Sequence, residues 1–164
     1  MGRTMEPREE SPSLREAGSM IVFIGCGKQK RKGTHPASKL YTGTYFQSCL
    51  AVARKIVDDK SIFILSAKHG VLGLSDRVES YELKLSDLSP FKLSRWRKSI
   101  REFVNQKITE GFRPVFVCGE LYHKGLPGRK MLPKAGIGIQ MRFMKQFLSQ
   151  RMKGFLDVSD HLSS

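Results

Sequence analysis

The sequence predicts a three-layer α/β sandwich built on a short, mostly parallel, Rossmann-like sheet. Three observations carry this expectation. Residues 21–25, 61–66 and 114–118 are runs with continuously apolar interiors, as strands covered on both faces of a parallel sheet must be. Amphipathic helical stretches alternate with them, the order that lays helices over both faces of a sheet. Each run also ends in a polar loop that contains glycine.

Residues 1–19 are rich in Arg, Glu, Pro and Ser without apolar periodicity, and read as a disordered N-terminal arm. A single α/β domain is expected over 20–150, followed by a polar tail over 151–164. The first strand, 21–25, runs into Cys26-Gly27-Lys28 and then a basic loop, 29–40, that carries Lys30, Arg31 and Lys32. A helix is expected over about 42–57, with Tyr45, Phe46, Cys49, Leu50, Ala53, Ile56 and Val57 on one face. After the polar connection Asp58-Asp59-Lys60, the second strand (61–66) leads into Ala67-Lys68-His69-Gly70.

Residues 71–85 are mixed and read as an irregular excursion with room for one short strand. Ser86 and Ser89 offer N-caps for a helix over 93–108, whose inward positions are Leu93, Trp96, Ile100, Phe103, Val104 and Ile108. Gly111 stops that helix. The third strand, 114–118, ends in Cys118-Gly119-Glu120. A turn-rich segment around 125–128 and the apolar 135–139 lead to a last helix over 140–150, striped by Met141, Met144, Phe147 and Leu148. Three strands make too small a sheet, so further strands are expected within 71–85 and 131–139.

Charge is the strongest compositional signal. The 164 residues hold 29 basic and 15 acidic side chains, a net of +14. Residues 1–20 hold three basic and four acidic ones, so the remaining 144 carry 26 against 11, a net of +15. Such an excess suits a polyanionic partner, because Lys and Arg on phosphates release condensed counterions. No apolar run approaches the roughly 18 residues of a membrane span, so no membrane partner is expected. The N-terminal residues lack the apolar core of a signal peptide. Three widely spaced cysteines form neither a disulfide framework nor a CxxC clip, and together these features predict a cytoplasmic protein.

In an open parallel sheet, ligands bind beyond the carboxyl ends of the strands. Three strand-end loops therefore assemble the candidate site, with Lys68, His69, Glu82 and Glu120 as catalytic candidates. Cys26, Gly27, Lys28, Tyr41, Ser66, Tyr81, Gly119 and Gly138 are the substrate-binding candidates. Lys28 and Lys68 would hold phosphate, and Tyr41 or Tyr81 would stack on a base. Glu82 or Glu120 would activate water or stabilise positive charge on a sugar. Cys26 and Cys118 read as small buried apolar side chains more than as nucleophiles. Cys26, Cys118 and His69 match no usual metal-ligand spacing, so neither a metal nor a cofactor is expected. Gly136-Ile-Gly138 is not a dinucleotide fingerprint, Gly25-Cys-Gly-Lys28 is not a P-loop, and no G-x-S-x-G elbow is present.

The blocks Cys-Gly-Lys-x-Lys (26–30), Leu-Tyr-Thr-Gly-x-x-Phe (40–46), Ile-Leu-Ser-Ala-Lys-His-Gly (64–70), Glu-Ser-Tyr-Glu-x-x-Leu (79–85) and Gly-Ile-Gly-Ile-Gln-Met (136–141) stand in this order. Together they resemble a largely uncharacterised family of small bacterial, archaeal and phage proteins, some labelled YaaA-like peroxide-stress proteins. The resemblance implies a compact α/β fold, more distantly similar to uracil-DNA glycosylase-type domains and to archaeal tRNA-base modification enzymes. Members often have Asp at the position of Glu82, and Ser or Thr near the first cysteine, where Gly27 stands here.

The function expected from these readings is a nucleotide- or nucleic-acid-directed protein that cleaves or exchanges the N-glycosidic bond of a nucleobase. A non-catalytic DNA- or RNA-binding protein is the first alternative. In that reading Lys30, Arg31, Lys32 and the helix face of Arg95, Arg97, Lys98 and Arg101 would follow a phosphate backbone. A regulatory domain for a small anionic metabolite is the second. Monomer and dimer are both compatible with the sequence.

Overall fold

A computed structural model describes residues 19–150 of the chain. The expected C-terminal tail and the N-terminal arm apart from Ser19 lie outside the described residues. Within them the chain forms seven strands: β1 (Met20–Gly25), β2 (Thr34–Pro36), β3 (Ile62–Ser66), β4 (Gly70–Gly73), β5 (Arg77–Glu79), β6 (Arg113–Val117) and β7 (Arg129–Lys130). Five α-helices accompany them: α1 (Ala37–Leu40), α2 (Thr44–Ile56), α3 (Pro90–Thr109), α4 (Glu120–His123) and α5 (Ile137–Ser149).

Five strands make the main sheet in the order β4-β3-β1-β6-β7. Four of them run parallel, and β4 folds back antiparallel on β3 at one edge. Strands β2 and β5 form a separate antiparallel ribbon. The register sets Val22 beside Ile62 and Val115, and Phe23 beside Phe63 and Phe116.

Strand alternation sorts side chains onto two cores. Met20, Val22, Ile24, Ile62, Ile64, Val115 and Val117 meet α2 and α5 on one face. Ile21, Phe23, Phe63, Leu65, Phe116 and Cys118 meet Trp96, Ile100 and Val104 of α3 on the other. The second core is aromatic: Phe23 stacks on Phe116 with centroids 5.0 Å apart, and Phe103 meets Phe63 edge-on at 5.3 Å. This is the expected three-layer sandwich.

The expected elements are present with shifted limits. Residues 71–85 hold parts of two strands, β4 and β5, where one was expected. The fifth strand of the main sheet is β7, just upstream of 131–139. Both edge strands are too short for periodicity to reveal them. Helix α3 begins three residues early, at Pro90, because Ser89 accepts the Lys92 N–H (3.2 Å) and proline suits a first helical position. Ile108, expected inward, is exposed. A 20-residue helix is about 30 Å long and outruns five-residue strands of about 17 Å. Helix α5 starts at Ile137, which brings the Gly-Ile-Gly-Ile segment into its first turn.

Gly128 secures the β6–β7 edge. Its φ of +121° is closed to most side chains, and an added Cβ would lie 2.8 Å from Phe116 and 2.9 Å from Pro114.

Candidate functional site

Strand β1 lies between β3 and β6, and the chain visits β3 on one side before crossing to β6 on the other. Loops leaving β1 and β6 therefore diverge, opening a crevice at the topological switch point. A cleft of about 800 Å³ occupies this place. Its lining includes Cys26, Gly27 and Lys28 after β1, Gly119, Glu120 and Tyr122 after β6, and Lys130 and Lys134 from the segment that follows. Gly43 and Gly136, the N-caps of α2 and α5, also face it, and neither supplies a side-chain cap. First-turn amides of two 13-residue helices thus remain for solvent or a ligand.

The walls are held by specific bonds. Tyr122 donates its hydroxyl to the Cys26 carbonyl (3.2 Å) and lies 3.3 Å from the Cys26 Sγ. Gly25 permits this, because a Cβ there would stand 3.2 Å from the Tyr122 ring. Gln140 is buried, accepting the Tyr45 hydroxyl at 2.6 Å and donating to the Pro133 carbonyl at 3.0 Å. It ties α5 to α2 beneath the cleft. Lys130 is ion-paired with Glu120 on the cleft wall, and this hydrogen bond holds the Glu120 carboxyl below the usual range. Burial raises the Tyr122 and Tyr45 phenols well above their ordinary value.

A second cluster gathers at the carboxyl ends of β1 and β3. Tyr81 is at its centre, with its hydroxyl 2.7 Å from both the Tyr41 hydroxyl and Ser66 Oγ. Ser66 Oγ also accepts the backbone N–H groups of Lys68 (3.3 Å) and His69 (3.1 Å), while Trp96 Nε1 donates to the Ser66 carbonyl at 2.8 Å. Lys30 Nζ sits 4.4 Å above the Tyr81 ring, and Lys68 Nζ is 5.7 Å from it. The His69 ring meets Tyr81 edge-on at 5.3 Å.

Burial pushes the Tyr41 phenol up to about 12 and raises Tyr81 as well. Desolvation lowers the Lys30 ammonium, against the opposing pull of Cys26 and Glu82. Partial burial, followed by the charge of Lys68, holds His69 below the ordinary histidine value.

The expected site residues therefore fall into two groups. Cys26, Gly27, Lys28, Gly119 and Glu120 share the cleft. Lys30, Tyr41, Ser66, Lys68, His69, Tyr81 and Glu82 form the neighbouring rim, and none of these lines the cleft. Gly138 is exposed on α5, just beyond the lining.

Several side chains differ from their sequence readings. Tyr41 and Tyr81, expected to stack on a base, are buried and packed against protein groups, because their hydroxyls complete the Ser66 network. Cys26 is half-exposed on the cleft wall, whereas Cys118 is buried with its thiol pushed upward. Arg97 donates to the carbonyls of Lys124 (2.6 Å) and Leu121 (2.7 Å), and Arg101 to that of Gly125 (3.2 Å). Two of the four basic residues expected to face a nucleic acid from α3 thus fasten α4 and its following turn. Arg31 similarly donates to the Lys39 carbonyl at 3.0 Å, while Lys32, Arg95 and Lys98 are exposed.

The sequence reading passed over Tyr45, Tyr122, Lys130, Lys134 and Gln140 as site residues. Only Gln140 left a signal, as a polar residue at an inward helical position among Met141 and Met144. Among the described residues no three His, Cys, Asp or Glu side chains could hold a metal ion. No described helix is long and apolar enough to cross a membrane.

The fold and cleft define a doubly wound α/β protein with a basic pocket at its switch point. The chain belongs to a family of unknown function (DUF6884), which matches residues 21–155. No curated protein and no solved structure matches it. The likeness to peroxide-stress and glycosylase-type proteins has no counterpart among these comparisons.

Proposed function

We propose that this chain is a nucleotide-directed protein that holds a phosphorylated nucleoside in the β1–β6 cleft and acts on its N-glycosidic bond. The observation that carries this reading is the cleft itself: about 800 Å³ at the switch point, lined by Lys28, Lys130 and Lys134. That size suits a nucleotide-scale ligand. Lys28, Lys134 and the open first turns of α2 and α5 favour its phosphate, while Tyr45 and Tyr122 supply aromatic wall for a base. Glu120, kept ionised by Lys130, is the group for the reaction. Its carboxylate would stabilise positive charge on the sugar as the bond to the base breaks, with a water molecule supplying the hydroxyl that bonds to the sugar carbon and the proton that the departing base takes up. The β1–β3 rim meets the cleft at Cys26, whose backbone N–H donates to the Leu65 carbonyl at 3.0 Å, and Lys68 and Glu82 lie outside the lining.

A thermal-shift series with nucleosides and nucleotides tests the binding step. A nucleotide at 100 times its Kd should stabilise the fold by about 2.7 kcal/mol. Lys28→Ala and Lys134→Ala, both at exposed positions, should lose most of that shift while melting normally without ligand. Release of free base, followed by chromatography, tests the reaction. Glu120→Gln should abolish release and retain binding. Stabilisation that survives both lysine changes would end this assignment of the cleft.

A further inference from the structure

We propose that the outward face of α3, near its N-terminus, is a docking surface for single-stranded nucleic acid, on which Phe91 carries one base while Arg95 and Lys98 take the adjoining phosphates. The surface shares no residue with the β1–β6 cleft, so the inference stands apart from the nucleotide reading of that cleft.

Phe91, Arg95 and Lys98 follow one another at spacings of four and three residues, which puts them on one side of the helix. The residues that α3 buries, Trp96, Ile100 and Val104, occupy the opposite side. Phe91 thus points away from the core. At 71% it is the most exposed of the large apolar side chains among the described residues. The Arg95 guanidinium lies 5.8 Å from its ring centroid, and no aromatic ring packs on it among the described residues. Neither the core nor a neighbouring ring accounts for a phenyl group at this position.

The charge around Phe91 is one-signed. The start of α3 holds Lys92, Arg95, Arg97, Lys98 and Arg101, and no acid of the helix precedes Glu102. Cations at the beginning of a helix oppose its macrodipole, which favours acids there. Arg97 and Arg101 are accounted for by the carbonyls they bind. Lys92, Arg95 and Lys98 are exposed, and none is ion-paired among the described residues. An anion on this face relieves their repulsion from the helix end and from one another.

A single strand supplies what the surface lacks. Each base offers a π-face to the phenyl ring, and the backbone on either side offers phosphate to the cations. A duplex presents the same phosphates but keeps its base faces stacked inside. A membrane surface fits less well, because an interfacial helix needs a broad apolar face, and the positions around Phe91 are Ser94, Arg95, Lys98 and Glu102. A second copy of this chain, itself at +14, is repelled.

Fluorescence anisotropy of a labelled single strand of eight nucleotides, at low and moderate salt, tests the surface. Phe91→Ala should weaken binding about tenfold, the scale of one stacked base, and Phe91→Tyr should retain it. Lys98→Ala should weaken binding and lower the slope of log affinity against log salt by about 0.7, the share of one phosphate on a single strand. These side chains are exposed, so the variants should melt like the wild type. The same losses should appear in a Lys28→Ala/Lys134→Ala background, which separates the helix face from the cleft. Wild-type affinity in Phe91→Ala overturns the docking surface whatever the cleft binds, as does absence of oligonucleotide binding at low salt. Binding to phosphatidylserine vesicles that Phe91→Ala abolishes, without oligonucleotide binding, assigns the face to a membrane and overturns the strand.

Discussion

Replacing Tyr81 by Phe keeps the ring and removes one oxygen from the centre of three hydroxyls. That oxygen lies 2.7 Å from both Tyr41 and Ser66, which are themselves fully buried. Water cannot replace either bond. Ser66 retains the N–H groups of Lys68 and His69, and the Tyr41 hydroxyl loses its bond to Tyr81. Two lost bonds at about 1 kcal/mol each give roughly 2 kcal/mol. For a domain of this size that is a fall in Tm of roughly 4–8 °C. Tyr41→Phe cuts one bond and leaves Tyr81 paired with Ser66, so it should cost only about 1 kcal/mol. The double variant should cost less than the sum, since both single variants cut the same Tyr41–Tyr81 bond. Urea unfolding followed by fluorescence measures all three, and Trp96, the single tryptophan, is itself bonded to the Ser66 carbonyl. A Tyr81→Phe loss no greater than that of Tyr41→Phe, or strict additivity, would refute the shared network.

Alkaline pH should unfold the protein through its tyrosines. All four phenols are raised by burial, Tyr41 to about 12, so they titrate higher in the folded chain than in the unfolded one. The folded state then holds protons that the unfolded state releases near pH 10. Their stabilisation is therefore complete below that pH and is lost as pH rises toward 12. Phenolate absorbance of the native and urea-unfolded chain against pH should show this gap. Gly128→Ala should cost more than about 2 kcal/mol, because its left-handed backbone and the contacts with Phe116 and Pro114 both oppose a Cβ. Hydrogen exchange should place the added opening at β6–β7. Arg97→Ala should release α4, with faster exchange and proteolysis across residues 120–125 and a loss of about 1–2 kcal/mol. Arg97→Lys should not restore it, since one ammonium cannot span two carbonyls as the guanidinium fork does.

Strands buried on both faces write their own signature, and β1, β3 and β6 were legible for that reason. So were α2, α3 and α5, whose stripes recur at helical spacing. The three-residue β5 and two-residue β7 carry too few positions for any period. Glycines at strand ends correctly indicated where loops approach one another. They did not indicate which loops share a pocket, so Lys68 and Glu120 were grouped together although they lie on opposite sides of β1.

The arginines of α3 show a second kind of illegibility. A run of Arg95, Arg97, Lys98 and Arg101 on an amphipathic helix reads as a basic surface. Whether a guanidinium meets solvent, a phosphate or the chain's own carbonyls depends on a segment more than 20 residues away. Tyr41 and Tyr81 are similar: their spacing from the strand-end lysines was visible, but their burial was not.

By itself, then, the sequence determined the α/β class, the charge and the strand ends at which chemistry gathers. Periodicity and composition are local properties, and they survive being read in one dimension. Tertiary structure alone decided the order β4-β3-β1-β6-β7, and with it that the cleft opens between β1 and β6. Strand order is a long-range choice made by how two cores pack, so the partners of Cys26, Glu120 and Tyr81 appear only once the sheet is assembled.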